Sequence, residues 1–352
     1  MSKVLKVIGN ILLVLFIVVA AAQLVPPLVG VTTVVATPQV TSNMQVGSVA
    51  YGWRKNLNTF SPGDQIVYSS DKVAYVYEIV ELDPATGRVI HPEADEAAGV
   101  DPYFGKRLLG GGHQSIEGPY ILYDAESGWY YLFVSYGGLN AHGGYQIRVF
   151  RSRAPDGDYE DMNGARPGKM AHALYGLKLS GNYTLPSVRT AYMATGHNSA
   201  FVDEDGKRYV CYHTRFNNGT ESHLPMVKQF AVSEEGWPCL LPYSTRKETI
   251  PAEFSAEDVP GRYYVVNQGT EINDVIAEPF ILYLRPDGSV GGESAAGSWA
   301  LADHSVYLRL SLGDTSWSGI ICRMQDNAGT EVTVFTLAGQ NESVWGVKYD
   351  EQ

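Results

Sequence analysis

The stretch HQSIEGPYILYDAESGWYYLFVSYGGLNAHGGYQIRVFRS, residues 113–152, decides the fold class. It sets an apolar strand before an acidic turn ending in Gly128, then an aromatic strand, a Gly-rich connection and a third strand. Strands bounded by Asp/Gly turns are the strongest short-range β signal a sequence offers. The pattern returns between 195 and 238 as TGHNSAFVDEDGKRYVCYHTRFNNG and PMVKQFAVSEEGWP, with Asp205-Gly206 at its turn. Units of about 50–80 residues holding three or four strands predict propeller blades rather than one sandwich. After Ile250 the blade pattern stops. GRYYVVNQG and AEPFILYLRPDGSVGG open a run of short alternating strands over 251–352, which predicts a small β-barrel or sandwich. Trp299, Trp317 and Trp345 read there as core aromatics before they read as a sugar platform.

Composition bounds the rest. The 352 residues are 45% apolar, which excludes disorder over most of the length, and allow two or three domains. A net charge of −12 without a long basic run excludes a nucleic-acid partner. The 23 tyrosines suit a sugar-binding cleft without demonstrating one. Cys211, Cys239 and Cys322 are too few and too scattered for a disulfide framework or a thiolate zinc site, and read as buried free thiols.

Lys3 and Lys6 precede an apolar run from Ile11 to Leu28. It reads as a transmembrane anchor over 1–30, or as a cleaved signal using Ala20-Ala21-Ala22; both place the remainder outside the cytoplasm, the anchor with a membrane as partner. Behind it, QVGSVAYG, FSPGDQIVY and VYEIVEL over 31–81 resemble the signal peptidase I family in order and spacing. The place of that family's nucleophile falls on Gln39 or Asn43, and Tyr77 stands where its base is expected, so the resemblance implies an inactive relic. Ser42 is a lone serine without a matched base.

From about Leu82 to the end, the blocks at 113–152 and 196–216 resemble glycoside hydrolase family 43, and in particular arabinanases with an extra C-terminal β domain. The resemblance implies a five-bladed propeller, an inverting mechanism and arabinan or arabinoxylan as substrate. It matches Glu117 to the general acid, a role suited to a carboxyl partly withdrawn from water. It sets His197 at the propeller centre beside a calcium ion, directly or through water. His113, Tyr136, Tyr145, Gln146, Thr214 and Arg215 are candidate substrate contacts, and His213 a further one; family members often carry a His where Lys228 stands, which bears on the periphery of that ion.

Inversion needs a second carboxyl group roughly 6.5–9.5 Å from the acid. None of Asp71, Asp83, Asp95 and Asp101 sits in the family's Asp motifs. The expectation is therefore a mostly β chain with four parts: the transmembrane helix, the signal peptidase-like β segment, a partial propeller of two to three blades over 82–250 and the C-terminal domain. That chain would be weakly active or inactive alone. The alternatives are a membrane-anchored carbohydrate-binding module without catalysis, and a signal peptidase-like protein lacking its nucleophile.

Overall fold

The computed structural model describes residues 3–35, 48–53, 61, 64–70, 73–78, 100–101, 105–110, 115–168, 175–292 and 296–349. The chain falls into two compact units, residues 1–96 with 100–105, and residues 97–99 with 106–352.

The first unit carries α1 (Lys3–Leu28), the single α-helix among the described residues. β1 (Val31–Val35) pairs antiparallel with β2 (Val49–Trp53), and β3 (Gln65–Ser70) with β4 (Val73–Glu78). β5 (Val100–Asp101) and β6 (Gly105–Lys106) form another short pair. The anchor expected over 1–30 needs correction. Among the described residues no helix is long and apolar enough to cross a membrane.

In the second unit each repeat makes four antiparallel strands. The first repeat gives β7 (Ile116–Asp124), β8 (Trp129–Tyr136), β9 (Gln146–Ser152) and β10 (Leu177–Ser180). The second gives β11 (Tyr192–Val202), β12 (Arg208–Phe216), β13 (His223–Val232) and β14 (Pro238–Leu240). The tail is a meander: β15 (Gly261–Asn267), β16 (Phe280–Leu284), β17 (Ser289–Gly292), β18 (Gly297–Leu301), β19 (Tyr307–Leu312), β20 (Thr315–Gln325), β21 (Glu331–Gly339) and β22 (Glu342–Lys348). Pairing of β15 with β22 closes these eight strands, which decides for a barrel over a sandwich.

The separate propeller fragment of two to three blades is corrected as well. β10 lies parallel to β22, so the first repeat and the barrel share one twelve-stranded sheet. One apolar core runs through both repeats and the barrel. Phe133 meets Phe230 edge-on at 6.0 Å, and Tyr183 meets Trp345 at 4.9 Å. Burial across these contacts, rather than closure of blades on each other, holds the unit together.

Two charged groups in this core decide local geometry. Lys228 is 0% exposed; its ammonium donates to the Pro242 carbonyl at 2.6 Å and lies 4.2 Å above the Trp345 ring. Burial holds its pKa well below the ordinary value. Lys228 thus seals the barrel against the second repeat. Asp124 ends β7 and caps its turn, accepting from the Ser127 N–H at 3.1 Å, while Arg208 of β12 donates to it at 2.7 Å. Burial alone would raise the Asp124 pKa, but the hydrogen bonds from Arg208 and Ser127 outweigh it and hold the group below its ordinary 3.8. The pair therefore contributes stability above the unfolded pKa that is lost as pH falls through the folded one. Arg208→Ala is expected to lower stability by about 2 kcal/mol, less than a fully buried pair because some water remains. Denaturant melts at pH 7 check it, and the difference from the parent chain should shrink below pH 4.

All three cysteines are free, Cys239 and Cys322 buried with thiol pKa values pushed up to about 12 by desolvation.

Candidate active site

Five elements of the second unit converge on one carboxylate. Glu117 lies near the start of β7, opposite Ser135 of β8. The next residue, Gly118, has φ +58°, and the β7–β8 register shifts between Glu117 and Tyr120. Such a bulge re-aims a side chain off the sheet, and glycine takes the left-handed turn without a steric penalty. The Glu117 side chain is left 49% exposed, open to a ligand.

β11 is distorted in the same way. Its register against β12 shifts twice, between Met193 and Gly196 and between Gly196 and Ser199. Ala194 and His197 take φ values of +48° and +51° at these shifts. Left-handed backbone at non-glycine residues costs on the order of 1–3 kcal/mol each and persists only where surroundings impose it. Here the Asn182 side-chain oxygen accepts from the Ala194 N–H at 2.7 Å, and the Ser135 hydroxyl accepts from the His197 N–H at 2.8 Å. Ser135 in turn donates to Asn198 at 3.1 Å, tying β8 to β11.

Tyr145, just before β9, joins the two bulges. Its hydroxyl donates to Glu117 Oε1 and lies 3.4 Å from His197 Nδ1, itself 3.6 Å from the same carboxylate oxygen. Burial first, and the bond to Glu117 second, hold the phenol pKa well above its ordinary value, so Tyr145 remains a proton-bearing donor. The ring is 0% exposed, stacks on His213 at 5.6 Å and lies directly on the Gly196 backbone.

His213 of β12 sits behind Tyr145, with its Nδ1 buried and unpartnered among the described residues. Desolvation, with Arg215, His223 and His197 nearby, lowers its pKa from 6.5 to about 4. A histidine with a lowered folded pKa leaves the unfolded chain binding more protons between the two values. Stability is therefore expected to be full above pH 6.5 and to fall as pH drops toward 4. Thermal melts of His213→Phe across that range should show a flatter profile than the parent.

The other sequence candidates separate cleanly. Tyr136 and Gln146 are buried; Gln146 donates to the carbonyls of Gly144 and Glu271 at 3.1 and 3.0 Å. The Thr214 hydroxyl donates to Met193 O at 3.2 Å, and Arg215 pairs with Glu221 at 2.8 Å. Gln146, Thr214 and Arg215 are engaged in these internal contacts, while the buried Tyr136 hydroxyl has no hydrogen-bond partner among the described residues. His113 lies outside the described residues. Ser135 and Asn198 went unnoticed as contributors, although Ser135 could have been found by reading the β7–β8 hairpin register back from Asp124.

Calcium takes six to eight oxygen ligands. Around His197 the described residues offer one carboxylate, Glu117, already engaged by Tyr145, and among them no cluster of three or more metal-ligating side chains occurs. These donors do not by themselves make a calcium shell. Asp71, Asp83 and Asp95, and the side chain of Asp101, lie outside the described residues. A cleft of about 580 Å³ runs from Glu117 along β7, lined by Leu108, Leu109, Pro119, Tyr120 and Val134 among others. An exposed carboxyl with a fixed hydroxyl donor, at the end of an apolar cleft, can give a proton to a bound oxygen.

Comparison with known proteins bears on the family of the chain. The family described as "Glycosyl hydrolases family 43" matches residues 75–238, and the "C-terminal lipocalin-like domain" matches 242–346. An extracellular endo-alpha-(1->5)-L-arabinanase of Thermotoga petrophila is 36% identical over 325 residues, 86% of this chain and 66% of that protein. An extracellular endo-alpha-(1->5)-L-arabinanase 2 of Bacillus subtilis is 34% identical over 77% of this chain and 59% of its own length. The chain thus spans somewhat less than two thirds of these relatives. The crystal structure of a family 43 glycoside hydrolase from Bacillus licheniformis superposes with a TM-score of 0.67 at 31% identity, covering 85% of this chain and 70% of that one. An alignment over 86% of this chain must take in most of 50–81, and the family match itself begins at 75, so the signal peptidase-like segment is not upheld. The chain belongs to glycoside hydrolase family 43.

Proposed function

We propose that the chain hydrolyses α-(1→5)-linked arabinan outside the cytoplasm by single displacement with inversion, Glu117 acting as general acid. One observation carries the assignment: a half-exposed carboxylate that shares one oxygen with the Tyr145 hydroxyl and His197 at the end of a cleft. The names of the Thermotoga and Bacillus relatives support the substrate and the location.

In this reading the protonated Glu117 delivers its proton to the departing glycosidic oxygen as the C–O bond breaks. Water attacks the opposite face of the sugar, activated by a second carboxylate. The Tyr145 hydroxyl then stabilises the Glu117 carboxylate left behind, because a hydrogen bond donated to the charged form favours it. His197, 62% exposed, borders the same oxygen and is placed to meet a sugar hydroxyl.

Incubation with linear arabinan and, separately, with arabinoxylan tests the substrate. New reducing ends are expected from arabinan and none from the xylan backbone. Binding of arabino-oligosaccharides by calorimetry without any release of reducing ends would replace this reading with a carbohydrate-binding one.

A further inference from the structure

Residues 268–279 connect β15 to β16 of the barrel, yet several of their hydrogen bonds reach the first repeat. Gln146, Arg148 and Lys178, all at least nine-tenths buried, converge on two carbonyls of this connection. Gln146 and Lys178 each donate to Glu271 O at 3.0 Å, and Arg148 donates to Thr270 O. Gln268 accepts from the Gly181 N–H at 3.0 Å. The backbone of Asn273 comes so close to Gly144 that a Cβ there would lie 2.8 Å from it. A buried guanidinium and a buried lysine amine spent on neutral carbonyls, rather than on carboxylates, are expensive, and burial lowers the Lys178 pKa from 10.5 to about 7. The geometry they enforce therefore invites a functional explanation.

Two routes lead from the connection to the Glu117 cluster. Ile276 packs on the small cluster of Tyr145, Met193 and Ala194, which includes the ring whose hydroxyl holds Glu117. Asn182 O accepts from the Ala277 N–H at 3.0 Å, while the Asn182 side chain accepts from Ala194, the residue that begins the His197 bulge. We infer that the β15–β16 connection is a positioning element of the Glu117 site, acting through Ile276 on Tyr145 and through Asn182 on His197. The inference rests on the hydrolase reading only for its kinetic consequence. Ile276 touches no substrate; it keeps the Tyr145 ring from tipping away from the carboxylate, as packing locks a catalytic rotamer. The barrel then contributes to the chemistry as well as to stability.

The test uses the full chain with Ile276→Ala and Ile276→Leu, read by arabinan kinetics, thermal melts and the proton NMR signals of the Tyr145 ring, assigned with Tyr145→Phe. Ile276→Ala is expected to lower kcat about tenfold, with KM changed less than twofold, and to move the Tyr145 ring signals. Ile276→Leu should restore both, because it refills the contact. A lower melting temperature with unchanged kcat and unmoved Tyr145 signals would show a purely structural role and overturn the inference. Were the parent chain inactive on arabinan, the hydrolase reading would fail, and the Tyr145 signals would still decide the positioning role. Should Ile276→Ala not fold, Ile276→Val serves, with the same signs and smaller shifts.

Discussion

Glu117→Gln is expected to cut arabinan turnover by about 10²–10⁴-fold, the span of a lost general acid. The amide keeps the size of the side chain and can still accept from Tyr145, but it carries no proton to give. Its effect should depend on the leaving group. A sugar alkoxide needs protonation as it departs, whereas a nitrophenolate leaves without help. On an aryl arabino-oligosaccharide the same variant should therefore lose roughly tenfold or less. Comparison of kcat/KM on the two substrates checks the role. Equal losses on both would mean that Glu117 binds or orients substrate and transfers no proton.

Gly196→Ala is expected to damage both stability and activity, through Tyr145. The added Cβ would fall 2.2 Å from Cε1 and 2.4 Å from Cδ1 of the ring. The ring is fully buried and backed by His213, so it can yield only by tipping off the Glu117 carboxylate or by displacing β11. Overpacking of this kind costs about 1–3 kcal/mol, which lowers the melting temperature by several degrees in a unit of this size. An ångström of misplacement at the acid is expected to cost kcat about 10²-fold. Tyr145→Phe separates the two effects. It keeps the ring and removes the hydroxyl, so kcat should fall while the melting temperature stays within about 1 °C. A Gly196→Ala chain with unchanged kcat would show that the Tyr145 ring does not set the carboxylate.

Much of this was legible in the residues themselves. Asp/Gly turns at Gly128 and Gly206 set the hairpins, and alternation past Ile250 set the barrel strands, because both follow from local backbone preference. Closure of the barrel was not legible, since β15 and β22 are about 80 residues apart and their pairing is a tertiary event. The parallel β10–β22 contact is longer still in range, so a shared sheet was mistaken for a free-standing fragment. At the N-terminus three short motifs outweighed the longer relationship. In the site, Glu117 and His197 were visible through the two motif blocks. The hydroxyl of Tyr145 joining them was not, because sequence spacing gave no reason to separate Tyr145 from Tyr136, which ends up in the core. Arg148 and Lys178 were invisible for the opposite reason: buried cations run against the usual placement of charge.

Glu117 as the acid of an inverting arabinan hydrolysis fixes which anomer appears first. Proton NMR of the anomeric signals during the first minutes of arabinan cleavage tests it most directly, before mutarotation scrambles the product. The β-anomer of the new reducing end is expected to form first, and Glu117→Gln to abolish its appearance. First formation of the α-anomer, or cleavage that survives Glu117→Gln, would contradict it.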